Sequence, residues 1–111
     1  MKRDEVLERL AAQKDELARL GVRSLALFGS VARQEARATS DVDLLVEFEG
    51  AATLDRYLEL ESYLEGVLNC SVDLITRRSL KPPLRSAIEK DAHYVPGLAD
   101  GRATRSWKLT Q

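Results

Sequence analysis

Cysteine occurs once in the 111 residues, as Cys70. A single thiol excludes an internal disulfide framework and any zinc site built from several cysteines. It fits a reducing compartment, and the cytoplasm is the expected location. Histidine is as scarce: His93 stands alone, with no partner motif, and a structural role is expected for it. No charge of one sign dominates. Seventeen basic and eighteen acidic residues leave a net charge of -1, so there is no bulk electrostatic argument for direct nucleic-acid binding. The stretch from Met1 to Glu5 is charged and no apolar run follows, so neither a signal peptide nor a membrane span is expected. Internal repeats and low-complexity segments are also absent.

What is present reads as a soluble globular chain. The hydrophobic fraction is 44% and the charged fraction 32%, too apolar for a disordered segment. The length suits one domain, and folding at this size buries roughly two-thirds of the chain's surface. Residues 4–20 carry Val6, Leu7, Leu10, Ala11, Leu17 and Ala18 at helical spacing, with Lys14 the one polar interruption and Gly21 a suitable stop. Strands are expected at 22–28, 42–48 and 71–76, and a short one at 93–95. Helices are expected at 31–36, 54–68 and 84–91, the last preceded by Pro82-Pro83. This alternation implies an α/β chain with a single mixed β-sheet flanked by helices. The packed domain is expected to span residues 1–95. From Pro96 to Gln111 periodicity is lost, and that segment, which contains Trp107, is expected to be a mobile tail or a partner-docking segment.

Three features carry chemistry. The first is Phe28-Gly29-Ser30, between a strand and a short helix. Glycine allows close backbone approach to a ligand, a helix start offers free N–H groups to phosphate, and Ser30 adds a hydroxyl. By itself the pair reads more simply as an ordinary turn with a Ser N-cap. The second is Asp41-Val42-Asp43. Period-two alternation puts both acids on one face, with Cα atoms roughly 6.5–7 Å apart, while Val42, Leu44, Val46 and Phe48 take the other. Two like charges about 4 Å apart cost on the order of 4 kcal/mol at an effective dielectric of 20. A sequence that tolerates such a cost commonly does so for function, although a turn acid followed by a solvent-facing acid is the plainer alternative. Mg²⁺ needs only one or two carboxylates plus substrate phosphates, and the pair suits it. The third is Asp73, inside the apolar run Val72-Asp73-Leu74-Ile75. If strands 42–48 and 71–76 are neighbours, Asp73 joins Asp41 and Asp43 where two metal ions and a general base would serve in-line phosphoryl chemistry.

Taken together, Gly29-Ser30-Val31-Ala32-Arg33, Ser40-Asp41-Val42-Asp43-Leu44-Leu45-Val46 and Val72-Asp73-Leu74-Ile75 resemble the nucleotidyltransferase domain of the DNA polymerase β superfamily, and its minimal (MNT) branch in particular. The resemblance runs from about Leu7 to Val95. It implies the minimal polymerase β-like nucleotidyltransferase fold, ATP as substrate, and Mg²⁺, two ions, as cofactor. Asp41, Asp43 and Asp73 are then the catalytic and metal-binding acids, and Gly29 and Ser30 the nucleotide-binding residues; Arg33 is a further nucleotide-binding candidate that could contact phosphate or equally be a solvated helix residue. Gln34 stands where many members carry glycine.

Minimal members resemble the antitoxins of two-component pairs whose partner is a HEPN-domain toxin. The resemblance therefore implies AMP transfer from ATP to a tyrosine hydroxyl of such a partner. Two alternatives stay open at this point: a non-catalytic module that masks its partner, and a subunit acting on a small molecule or a nucleic acid. A homo- or hetero-oligomer is compatible with any of them. Arg77 and Arg78, just after the third acid, could face the acceptor or form a solvated basic patch.

Overall fold

The computed structural model describes residues 2–35 and 41–98. The helices are α1 (Arg3–Ala11), α2 (Lys14–Arg19), α3 (Gly29–Ala32), α4 (Leu54–Leu68) and α5 (Pro82–Asp91), and a 3₁₀ turn covers Arg77–Ser79. The strands are β1 (Val22–Phe28), β2 (Val42–Phe48), β3 (Val72–Thr76) and β4 (His93–Tyr94). They form one sheet in the order β3-β2-β1-β4. β1 runs antiparallel to both β2 and β4, whereas β2 and β3 are parallel. The mixed sheet flanked by helices is the architecture expected from the alternation of elements.

Both faces of the sheet are covered. On one face Leu25, Leu27, Leu44, Val46 and Leu74 pack with Val6, Leu7, Leu10 and Leu17 of the first two helices and Leu60, Leu64 and Leu68 of α4. Burying a leucine side chain is worth about 1.5–3 kcal/mol, so this face supplies most of the folding free energy. The other face is thinner. Ala26, Leu45 and Leu80 are buried there, with Phe28, Ile75, Ile88 and Tyr94 packed around them. α5 closes this second layer, started by Pro82-Pro83 in its first turn, where a missing N–H costs nothing.

The N-terminal segment departs from the single helix expected over 4–20. It breaks at Ala12-Gln13, between α1 and α2. In a continuous helix Lys14 would lie four residues after Leu10 and three before Leu17, inside the apolar stripe. The break leaves Lys14 exposed while Leu17 stays fully buried, and Ala18 turns to solvent. The Tyr63 hydroxyl donates to Gln13 Oε1 at 2.6 Å and holds the joint against α4.

α3 begins at Gly29, two residues before the expected start, and is a single turn. Its end is a Schellman motif: Glu35 N–H donates to Ser30 C=O at 2.8 Å, and Gln34 N–H to Val31 C=O at 3.0 Å. Gln34 takes the left-handed position of that motif, with φ 59°. At the other end of the chain, Val95 and Leu98 are both buried in the main core, so packing continues past residue 95. Trp107 and the rest of 99–111 lie outside the described residues, as does Ser40.

Candidate active site

Strand direction gathers the chemistry at one end of the sheet. β1 is antiparallel to β2, so its C-terminal residue Phe28 pairs with Asp43 near the start of β2. β3 is parallel to β2, so its start lies there too, and Asp73 pairs with Asp43. The Gly29-Ser30 turn that follows β1 therefore meets the first residues of both acid-bearing strands. Adjacent strands are about 4.8 Å apart, and register partners point to the same face.

Asp43 is crowded from both sides. Gly29 has φ 75°, and a Cβ built on it would lie 2.1 Å from Asp43 Oδ2. The carboxylate thus occupies the space that any other residue at position 29 would need. Asp43 is half-buried, and its pKa is raised above the ordinary aspartate value. Burial is the largest cause, followed by the charges of Asp73 and Asp41 and a hydrogen bond with Asp73; Arg33 acts weakly in the opposite sense. Asp41, one residue before β2, and Asp73 are both exposed.

Asp43 and Asp73 are hard oxygen donors on one face, a donor set that fits Mg²⁺. Among the described residues no group of three His, Cys, Asp or Glu side chains is arranged to hold a metal ion unaided. An ion at this pair would draw its remaining ligands from a triphosphate and water, as Mg²⁺ commonly does.

Arg33 extends from the end of α3 and pairs with Glu35 at 2.8 Å and with Asp91, at the end of α5, at 3.0 Å. It ties the Gly29-Ser30 turn to the helix covering the second layer. Arg77 is engaged within the fold. It is half-buried and bridges Glu89 of α5 (2.8 Å) and Glu47 of β2 (3.6 Å), a structural pairing between sheet and helix. Arg78 is exposed. His93, on β4 beside Leu27, has a pKa lowered by burial and then by Arg3; it lies one strand beyond β1, away from β3.

Two residues near the site carry no motif and are not singled out by the sequence. Asp91 is one, read only as the end of a helix. Tyr57 is the other. It falls on the apolar stripe of α4 and passes for core, yet its hydroxyl donates to the Leu74 carbonyl at 2.6 Å. The available signal is general: a tyrosine on a buried stripe needs a partner for its hydroxyl. A groove of about 430 Å³ opens along the same edge, lined by Leu54, Tyr57, Leu74, Ile75 and Ser79 among others.

Comparison with known proteins agrees with this geometry. The nucleotidyltransferase domain family matches residues 10–95. Protein adenylyltransferase MntA of Thermococcus cleftensis is 43% identical over 93 residues, covering 83% of this chain and 94% of the relative. A solved structure assigned as a minimal nucleotidyltransferase superposes with a TM-score of 0.66 at 42% identity, covering 83% of this chain and 94% of that one. The fold is shared at 19% identity, with a TM-score of 0.55, by a chain of the complex between a tri-AMPylated Shewanella oneidensis HEPN toxin and its MNT antitoxin, covering 90% of this chain and 85% of that one. These likenesses in sequence and in fold place the chain in one family: it belongs to the nucleotidyltransferase-domain family, in its minimal branch.

Proposed function

We propose that the protein is a metal-dependent adenylyltransferase that transfers AMP from ATP to a tyrosine hydroxyl of a HEPN-domain toxin, and so acts as a cytoplasmic antitoxin. The observation that carries this reading is the pairing of Asp43 with Asp73 beside Gly29. The likeness to MntA supports the protein acceptor, and the AMPylated complex supports a HEPN partner.

Gly29 and Ser30 hold the triphosphate through the turn and the Ser30 hydroxyl. Asp41 and Asp43, with Asp73 beside them, would hold Mg²⁺, and the bound ion would neutralise the triphosphate's charge and set its orientation. Asp73 accepts the proton of the attacking hydroxyl. A bond forms between the acceptor oxygen and the α-phosphorus, the bond to the bridging oxygen of the β-phosphate breaks, and pyrophosphate leaves. The acceptor oxygen must be held in line, about 3–3.5 Å from phosphorus. On an exposed site, a partner's surface supplies that constraint. Arg33 steadies the phosphate-binding turn through Asp91 and contributes positive charge beside it.

The test is incubation with ATP, Mg²⁺ and a HEPN-domain toxin from the same organism, followed by intact-mass analysis. AMP on the partner, absent with Asp41→Asn or Asp73→Asn, supports the proposal. A neutralised but unmodified partner overturns it in favour of masking. Label on a small molecule or an RNA end overturns the choice of acceptor.

A further inference from the structure

Asp73 lies on an outer strand, which the sheet secures on one side only. Val42 N–H donates to the Ser71 carbonyl at 3.1 Å, which fixes the phase of the β2–β3 ladder. In a parallel ladder alternate residues then turn their backbone groups inward and outward. Ser71, Asp73 and Ile75 face β2, whereas Val72, Leu74 and Thr76 face the free edge.

The two outward residues that flank Asp73 are both held by α4. Glu65 accepts from Val72 N–H at 3.1 Å, and the Tyr57 hydroxyl donates to the Leu74 carbonyl at 2.6 Å. Tyr57 and Glu65 are eight residues apart on one helix, about 12 Å of rise, and so reach two points along the same strand. Beyond Leu74, Ser79 caps the Thr76 carbonyl at 2.8 Å. The side chains of Val72 and Leu74 meanwhile enter the main core against α4. The segment bearing Asp73 is therefore gripped by its ladder to β2, by its core side chains, and by two hydrogen bonds from α4 on either side of the acid.

We propose that Tyr57, assisted by Glu65, is a positioning residue for Asp73. The proposal rests on the reading of Asp73 as the acid that takes the acceptor proton. An edge strand released on one side can shift by fractions of an ångström without unfolding, and in-line attack tolerates little displacement. Burial, followed by the charges of Glu61 and Asp73, raises the Tyr57 pKa, which keeps the phenol protonated and able to donate.

Tyr63 provides a matched control. It lies on the same helix, and its hydroxyl makes a bond of the same length, 2.6 Å, to Gln13 rather than to β3. Tyr57→Phe and Tyr63→Phe should lose similar, small amounts of thermal stability. Only Tyr57→Phe should speed hydrogen exchange in the 72–76 peptide, and only it should lower the rate of AMP transfer to the HEPN partner at saturating ATP, about tenfold, with the KM for ATP unchanged. Glu65→Gln, which keeps an acceptor for Val72 N–H, should retain the rate that Glu65→Leu loses. Equal exchange in the two tyrosine variants overturns the clamp, and so does faster exchange with an unaltered rate. Asp73→Asn separates the two ideas. If it keeps full activity, the reading of Asp73 fails and the proposal with it. If it is inactive while Tyr57→Phe matches Tyr63→Phe, only the clamp fails.

Discussion

Gly29 and Asp43 occupy each other's margin: the position a side chain would take at residue 29 is filled, to within 2.1 Å, by the Asp43 carboxylate. Gly29→Ala therefore meets two penalties. Its φ of 75° is unfavourable for any residue with a Cβ, and the added carbon must displace the acid. The expected loss is about 1–3 kcal/mol of stability by urea denaturation, the usual range for a strained backbone position. Metal-supported ATP binding should fall with it, because Asp43 is pushed off its mark. An alanine variant that keeps both stability and binding would mean that the turn relaxes freely and that the close approach has no purpose.

Asp43 carries a cost in the metal-free protein, and pH exposes it. Its carboxyl titrates higher in the folded chain than in the unfolded one, chiefly through burial and then through Asp73. Between the two values the folded state binds more protons, so stability falls as pH rises through that window. Asparagine carries no such penalty. In chelator at pH 7, Asp43→Asn should be at least as stable as the parent, though inactive. Its advantage should shrink as pH falls through the raised value toward the ordinary aspartate range, where the parent's carboxyl is protonated in both states. Denaturation at several pH values is the measurement. A marked destabilisation at pH 7 would give Asp43 a structural role instead.

The sequence revealed the acids because they break a local pattern. Asp43 interrupts Val42, Leu44 and Val46, and Asp73 interrupts Val72 and Leu74, in strands otherwise built for a core. It did not reveal that the two strands are parallel neighbours in register, because pairing is decided by packing between elements far apart in the chain. The break at Ala12-Gln13 was hidden for a related reason. Neither residue is a helix breaker, and the joint is made by tertiary contacts, the burial of Leu17 and the bond from Tyr63. Tyr57 was hidden by its own apolar ring, since a hydroxyl on a hydrophobic stripe looks the same whether it reaches a backbone carbonyl or solvent.

Gln34 is legible in part. The resemblance leads one to expect glycine there, and the structure supplies the physics: a left-handed residue closing α3. A residue with a side chain pays about 1–2 kcal/mol in that region. Glycine escapes this but loses about 0.5–1 kcal/mol more chain entropy on folding. Gln34→Gly should therefore stabilise the protein by about 0.5–1 kcal/mol, while Gln34→Val, β-branched at the same φ, should destabilise it. Thermal melts of the pair decide. A glycine variant less stable than the parent would show that the Gln34 side chain makes a stabilising contact that outweighs the strain.

The last expectation couples metal and nucleotide. Asp43 already suffers from the charge of Asp73 and Asp41, and a triphosphate would add more negative charge to the same corner. ATP in chelator should therefore leave the melting temperature nearly unchanged. With Mg²⁺ present, ATP at one hundred times its Kd should stabilise the fold by about 2.7 kcal/mol, since a ligand that binds only the native state shifts the equilibrium by mass action. At roughly 4 °C per kcal/mol for a chain of this size, the rise is about 10 °C. Ser30→Ala should weaken the metal-supported binding by one hydrogen bond to a charged group, about 1.5–3 kcal/mol, which calorimetry reads as a ten- to hundredfold rise in Kd. Phe28, not Ser30, is the N-cap of α3, and comparing melts of the two apo proteins removes any ligand-free change in stability, so that only the ligand-dependent part is scored. Equal stabilisation by ATP with and without Mg²⁺ would remove the metal from the site, and an unaltered Kd in Ser30→Ala would move the phosphates away from the Gly29-Ser30 turn.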